Sequence, residues 1–270
     1  MDLTIRKKNE VYLKVDAEPS THQELADFFT FEVDNAKYMQ KNRRYKGWDG
    51  KVRLYSPATG EIYCGLYSYL IDWCQKKKYS YHTEKHEHFG LPLEENDLIT
   101  PEAVAGFVRA LSLPVKVRDY QLKAIYECLR YNRRVLLSPT ASGKSLMIYS
   151  LVRFHVNVDR PVLIVVPTTS LVEQMYKDFE EYGWKASAYC HKIYGGEEKY
   201  TDKPVVITTW QSIYKEPRKW FERFDVIIGD EAHLFKAKSL TRLMSKLHDC
   251  KYRYGCLLYT SPSPRDFQVS

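Results

Sequence analysis

The segment 136–145, LLSPTASGKS, ends in Gly143-Lys144-Ser145, residue types that suit a polyphosphate. N–H groups of a tight loop and of the helix turn after it can hold phosphate oxygens. The lysine ammonium reaches the terminal phosphates, and the serine hydroxyl binds Mg2+. Ser138 stands where the first glycine of the common G-x-x-x-x-G-K-[ST] pattern would be, so the loop departs from that pattern. A second stretch, VIIGDEAH at 226–233, supplies what a bare Gly-Lys-Ser lacks. A strand ending in Asp230-Glu231 presents one carboxylate to the metal and the next to an attacking water. Asp230 is then the metal-side group and Glu231 the general base.

Such groups need a parallel sheet to carry them. From Val115 onward the sequence alternates short β-branched runs with helical patterns. RRVLLS, PVLIVVP, PVVITT and FDVIIGD read as strands buried on both faces. SLMIYSLVRFH, SLVEQMYKDFEEYG and WQSIYKEPRKWFERF read as crossover helices, which predicts an α/β unit with a parallel sheet over residues 115–255. Residues 1–90 read differently, as a small basic α+β unit. There VYLKV, KVRLY and EIYCGLY are strands, THQELADFF is a helix capped by Ser20 or Thr21, and GLYSYLIDWCQKKKY is an amphipathic helix. Residues 91–114 form a connector with one short helix, PEAVAGFVRALSL, closed by Pro114.

The chain has 270 residues, 44% of them hydrophobic, enough to bury one or two cores. No run approaches the roughly 18 to 20 apolar residues of a bilayer crossing, and the charged opening MDLTIRKKNE is unlike a signal peptide. A cytoplasmic protein is expected, in the host cell if the source is viral. The six cysteines are dispersed and read as reduced thiols, and His82, His86 and His88 read as a solvated loop rather than a metal site. The formal charge of +7 is concentrated in KYMQKNRRYKGWDGKVRLY, where basic residues including Arg43, Arg44 and Lys46 interleave with Tyr38, Tyr45, Trp48 and Tyr55. That composition suits phosphates and stacked bases, and equally a hairpin with a solvated charged face.

SPTASGKS followed by DEAH resembles the superfamily 2 helicases, whose loop commonly reads PT-x-x-GK with a small residue in place of the first glycine. The resemblance implies an ATP site with Mg2+ held by Ser145 and Asp230. It implies a catalytic set of Lys144, Asp230, Glu231 and His233, and a loop of Pro139, Thr140, Ala141, Ser142, Gly143, Lys144 and Ser145. VRDYQLKAI is similar to the family's adenine-reading element, which implies that Gln121 pairs with the base, with Arg118 or Tyr120 nearby. VVPTTSLVEQM and ITTWQS resemble the loops that grip a nucleic-acid backbone, implying contacts from Thr168 and Thr169 and from Thr208, Thr209 and Gln211. Read from residues alone, these are as well explained by N-capping, and Gly195-Gly196 by either a close ligand approach or a turn.

Most of residues 1–255 is similar to the UvsW helicase family of T-even bacteriophages. That resemblance implies an ATP-dependent motor, expected to be monomeric, that acts on branched or single-stranded DNA and RNA–DNA hybrids. In it the N-terminal unit is an accessory DNA-binding domain and 115–255 is the first of two RecA-like lobes. Residues 256–270, CLLYTSPSPRDFQVS, do not follow the family and are expected to be a non-native tail or a divergent C-terminus. A different class, a nucleic-acid-binding module with a regulatory or vestigial ATP site, fits the same residues. So does a motor on RNA or a restriction-type translocase on duplex DNA.

Overall fold

The protein is described by a computed structural model covering residues 2–33, 36–39, 41, 47–83, 98–138, 142–230 and 237–258; at 37, 39, 237–240 and 257–258 the description is of the backbone alone. The chain divides into two compact units, Met1–Gly90 and Leu91–Ser270.

The first unit runs β1 (Leu3–Lys7), β2 (Tyr12–Ala17), α1 (Pro19–Phe28), β3 (Thr30–Glu32), the single turn α2 (Ala36–Met39), β4 (Lys51–Arg53), β5 (Tyr55–Ser56), β6 (Glu61–Tyr63), α3 (Tyr67–Lys77) and β7 (Tyr81–Thr83). Five strands form a sheet in the order β5-β6-β2-β1-β7, antiparallel except where β7 pairs with β1, while β3 and β4 form a separate ribbon. Alternation sets one face inward. Leu3, Ile5, Leu13, Val15 and Ile62 pack with Leu25 of α1 and with Leu70, Trp73 and Cys74 of α3. The helix α1 begins earlier than a Ser20 or Thr21 cap implies. Pro19 opens it after an extended Glu18, where its preset φ and missing N–H cost nothing.

Gly60 holds the turn before β6 at φ +66°, and a Cβ there would lie 2.4 Å from the Val15 carbonyl oxygen. Its own carbonyl accepts a 2.7 Å hydrogen bond from Val15 N–H, so the approach is fixed on both sides. Gly60→Ala is expected to lower the stability of this unit by about 2 kcal/mol, read as a shift in its urea midpoint.

The second unit contains α4 (Pro101–Ala110), α5 (Asp119–Tyr131), β8 (Arg133–Ser138), α6 (Lys144–Asn157), β9 (Val162–Val166), α7 (Thr169–Glu181), α8 (Ala186–Tyr189), β10 (Cys190–Ile193), β11 (Val205–Thr209), α9 (Trp210–Ile213), α10 (Arg218–Phe221), β12 (Val226–Asp230), α11 (Ala237–Met244) and β13 (Tyr252–Leu258). Its six strands are all parallel in the order β10-β11-β9-β12-β13-β8. One face packs on α4 to α8 through residues such as Ile125, Ile148, Val152, Ile164, Ile207 and Ile228. The other packs Leu163, Val165, Val206 and Ile227 against Ile213, Phe221 and Leu243. This is the α/β architecture expected from the alternating pattern.

Two expectations are corrected. WQSIYKEPRKWFERF is not one crossover helix: α9 and α10 are single turns separated at Pro217, whose extended backbone cannot continue a helix. Nor is β8 buried on both faces. It is one edge of the sheet among the described residues, and Val135 and Leu137 are 62% and 66% exposed. That uncovered side continues into a groove of about 360 Å³ floored by Gly229 and Gly255 and walled by Val135, Leu243 and Met244.

The C-terminal turn of α6 carries His155, fully buried, with Nε2 3.0 Å from the Tyr254 hydroxyl of β13. Burial, with Arg160 nearby, pushes its pKa from 6.5 down to about 3. A depressed folded-state pKa contributes stability that is whole above 6.5 and lost as pH falls toward 3. Stability is therefore expected to drop by about 2 kcal/mol between pH 7 and pH 5, and His155→Phe should flatten that slope in denaturation curves.

All six cysteines are free and buried. Among the described residues no helix is long and apolar enough to cross a membrane, and no cluster of three His, Cys, Asp or Glu is placed to hold a metal. His82 is exposed, while His86 and His88 lie outside the described residues.

Candidate nucleotide site and family membership

The parallel sheet delivers Ser138, Val166, Ile193, Thr209 and Asp230, the carboxyl ends of β8 to β12, to one edge, where open α/β sheets bind ligands. Ser138 and Ser142 are both buried, and their hydroxyls hydrogen-bond to each other. A glycine could not make that bond, so the residue that departs from the glycine pattern braces the loop from within. The Ser142 carbonyl accepts two further hydrogen bonds, from the Tyr120 hydroxyl at 2.9 Å and from Gln121 Nε2 at 2.9 Å. Gly143 then turns the chain into α6 in the left-handed region, φ +77°. A Cβ there would lie 2.4 Å from Gln121 Nε2, so glycine is required by both backbone and neighbour.

Lys144 opens α6, and its Nζ lies 3.3 Å from Asp230 Oδ1, the two side chains being 14% and 8% exposed. The pair spans an intervening strand, because β13 lies between β8 and β12. Ser145, adjacent to Lys144 and partly exposed, sits on the same helix N-terminus. These residue types fit a metal–triphosphate: a cation and a carboxylate meet at the N-terminus of a 14-residue helix that also carries Ser145 in its first turn. Pro139, Thr140, Ala141, Glu231 and His233 lie outside the described residues.

Beside the loop is a cavity of about 210 Å³ lined by Arg118, Tyr120, Gln121, Gly143, Leu146 and Tyr182 among others. Gln121 is 5% exposed and accepts from Arg118 N–H at 2.9 Å through Oε1. With one bond on each amide atom, it keeps one lone pair and one N–H, the complement of an adenine edge. Leu146 and Tyr182 carry no motif. Tyr182 reaches the cavity from the end of α7, where its ring packs 5.2 Å from that of Tyr149 of α6.

The loops assigned to nucleic acid divide. Thr168 and Thr169 are exposed, Thr168 capping α7 by accepting from Leu171 N–H at 3.4 Å and pairing with Ser170 Oγ at 2.9 Å. Thr208 is a correction. It is fully buried, and its hydroxyl donates to the Ile193 carbonyl at 2.8 Å, so the sheet itself holds the group meant for a phosphate. Thr209 is 4% exposed, and its hydroxyl lies 3.0 Å from Ser212 Oγ of α9. Gln211 is exposed on the single turn α9. Gly195 and Gly196 have φ of +60° and +96° with open space where a Cβ would be. In the first unit Arg43, Arg44 and Lys46 lie outside the described residues, and half-buried Trp48 donates its indole N–H to the Lys51 carbonyl at 3.0 Å.

Residues 114–255 match the family described as "Type III restriction enzyme, res subunit", and residues 2–84 match "DNA helicase UvsW, N-terminal". The chain belongs to the superfamily 2 helicases of the UvsW type. The "ATP-dependent DNA helicase uvsW" of Enterobacteria phage T4 is 34% identical over 264 residues, covering 94% of this chain and 51% of the relative. The "DNA 3'-5' translocase XPB2" of Sulfurisphaera tokodaii is 28% identical over 52% of this chain and 30% of its own. Among solved structures, "Crystal structure of the UvsW helicase from Bacteriophage T4" superposes with a TM-score of 0.82 at 31% identity, covering 95% of this chain and 92% of the other. "The crystal structure of T4 UvsW" gives the same score and identity over 98% of this chain and 53% of the other. The chain thus spans about half the length of the first of these curated relatives.

Proposed function

We propose that this chain is the nucleotide-holding half of an ATP-driven DNA motor that works on branched DNA and R-loops, joined in the working protein to a second RecA-like lobe. The ion pair between Lys144 and Asp230 carries this reading, because it brings the phosphate-binding lysine and the metal-binding carboxylate to one point. Lys144 exchanges its carboxylate for phosphate oxygens when nucleotide enters. Ser145 and Asp230 would hold Mg2+, which supplies charge neutralisation at those oxygens. Glu231 is assigned the attacking water and His233 the coupling side of the DEAH turn. Gln121 reads the base while its amide holds the loop, so base recognition and loop shape share one residue. Thr168, Thr169, Gln211, Gly195 and Gly196 face the strand that is moved, and Arg43, Arg44, Lys46 and Trp48 give the first unit its hold on DNA.

The second lobe is supported by two observations: the relatives' greater length and the uncovered apolar side of β8. A lobe that closes over the site supplies the arginine worth about 10^3 to 10^5 in rate in related nucleotidases. The motor is read as a monomer acting in the cytoplasm of the cell that makes it.

The test uses the full-length protein. Wild type should hydrolyse ATP faster with DNA present, and Lys144→Ala should abolish unwinding of a fork while fork affinity without nucleotide changes less than threefold. Absence of DNA-stimulated hydrolysis in wild type, or unwinding that survives Lys144→Ala, would sink the motor in favour of a binding module.

A further inference from the structure

The buried stripe of α7 is Val172, Met175 and Phe179, at the three- and four-residue spacing of one helix face. Tyr182 continues that stripe one step beyond Glu181, and it packs partly buried against the same core. Its N–H donates to the Asp178 carbonyl at 2.9 Å, and Gly183, at φ +88°, then ends the helix. The Tyr182 ring lies 5.2 Å from that of fully buried Tyr149, which also meets Phe179 at 5.4 Å and Trp184 at 6.1 Å. A packed group of rings thus anchors Tyr182 where it borders the cavity beside the phosphate loop. Burial, with Asp178 and Glu181 nearby, pushes its pKa above the usual tyrosine value, so the ring is neutral.

Size and lining select the occupant of that cavity. About 210 Å³ is below the roughly 300–1,000 Å³ of a whole small-molecule site, so it takes one flat group rather than an entire nucleotide. Gln121 offers a lone pair and an N–H, while Leu146 and Tyr182 offer apolar surface. A heterocycle with a hydrogen-bonding edge and two π faces satisfies both kinds of wall. Tyr120, in the segment that resembles a base reader, commits its hydroxyl to the Ser142 carbonyl and leaves its side chain 45% exposed. Tyr182 comes from a different element and has its ring anchored. We propose that Tyr182 is a base-contact residue: a purine packs on its ring while Gln121 bonds the purine's edge. Nucleotide preference is then set jointly by α7 and by the segment before the phosphate loop. A two-ring base offers the tyrosine more area than a one-ring base does, so the contact favours purines. This rests on the nucleotide reading above and adds to it a residue that selects the base.

The experiment uses the full-length protein, with ATP and CTP affinity measured by calorimetry and turnover measured with saturating single-stranded DNA. Tyr182→Ala should weaken ATP binding and raise its KM about tenfold. Its kcat should stay within twofold, because the lost contact lies on the base and not on the reacting phosphates. Tyr182→Phe should keep the wild-type values, and the preference of wild type for ATP over CTP should shrink in the alanine variant. Unchanged ATP affinity in Tyr182→Ala overturns the proposal. So does a fall in kcat as large as the rise in KM, which would make Tyr182 a prop for the phosphate loop, and so does a phenylalanine variant as impaired as the alanine one. Equal losses for ATP and CTP overturn the selection of purines. Wild type that neither binds nor hydrolyses ATP removes the nucleotide reading as well, whereas normal wild-type turnover with a Tyr182-insensitive affinity removes the tyrosine's role alone.

Discussion

Gly143→Ala in the full-length protein is expected to lower ATP affinity about 100-fold while leaving the fold intact. Two costs meet at this position. A side chain at φ +77° is strained by about 1–2 kcal/mol, and the new Cβ would sit 2.4 Å from Gln121 Nε2. The glutamine must then leave the Ser142 carbonyl, and the loop loses the tie that sets its shape. Displacement by an ångström of groups that hold a reacting phosphate is enough for a loss of this size. The mechanism makes a sharper claim through the double variant. Gln121→Ala removes the clash but not the strain, so Gly143→Ala with Gln121→Ala should bind nucleotide better than additivity allows, by about 1 kcal/mol in a cycle measured with a fluorescent ATP analogue. Strict additivity would show that the contact plays no part.

Asp230→Asn should reduce Mg2+-dependent ATP turnover roughly 100- to 1,000-fold. The amide keeps the size of the carboxylate at a position only 6% exposed, but it withdraws the negative charge needed by the metal and by Lys144. Nucleotide binding measured in EDTA should be retained or tightened, because Lys144 no longer leaves a carboxylate in order to meet a phosphate. An equal loss with and without metal would mean that Asp230 acts only as a structural partner of the lysine. Calorimetric titration with ATP in the two buffers separates the cases.

The lysine and the acid were legible because each lies in a short contiguous motif at a strand end, and local sequence carries such motifs whole. Thr208 was misread because its burial is decided by β10, a strand that no periodicity announced in CHKI. The strand β1 was equally silent: LTIRK alternates, but with its outward Arg6 and neighbouring lysines the segment read only as a charged opening. Tyr182 could not be found at all, since only the packing of α7 on α6 brings it to the cavity. Ser138 was the reverse case. Its departure from glycine was visible in the sequence, and the hydroxyl pair with Ser142 gives that departure a structural use.

The strand β13 lies between the two strands that carry the site, joined to β12 over Val226–Asp230 and to β8 over Arg133–Ser138 by parallel pairing. The spacing of main-chain ladders is nearly invariant, so β12, which ends in the acid, and β8, which leads into the loop before the lysine, run two ladder widths apart, roughly 10 Å. Main-chain hydrogen bonds therefore act as the gauge block between the strand that carries the acid and the strand that feeds the lysine's loop, a width that side-chain packing did not choose. Substitutions among the apolar residues of α5 and α6 can weaken the unit without changing that width. A disturbance of β13 changes the width itself, so this strand holds the one dimension that the chemistry cannot adjust for itself.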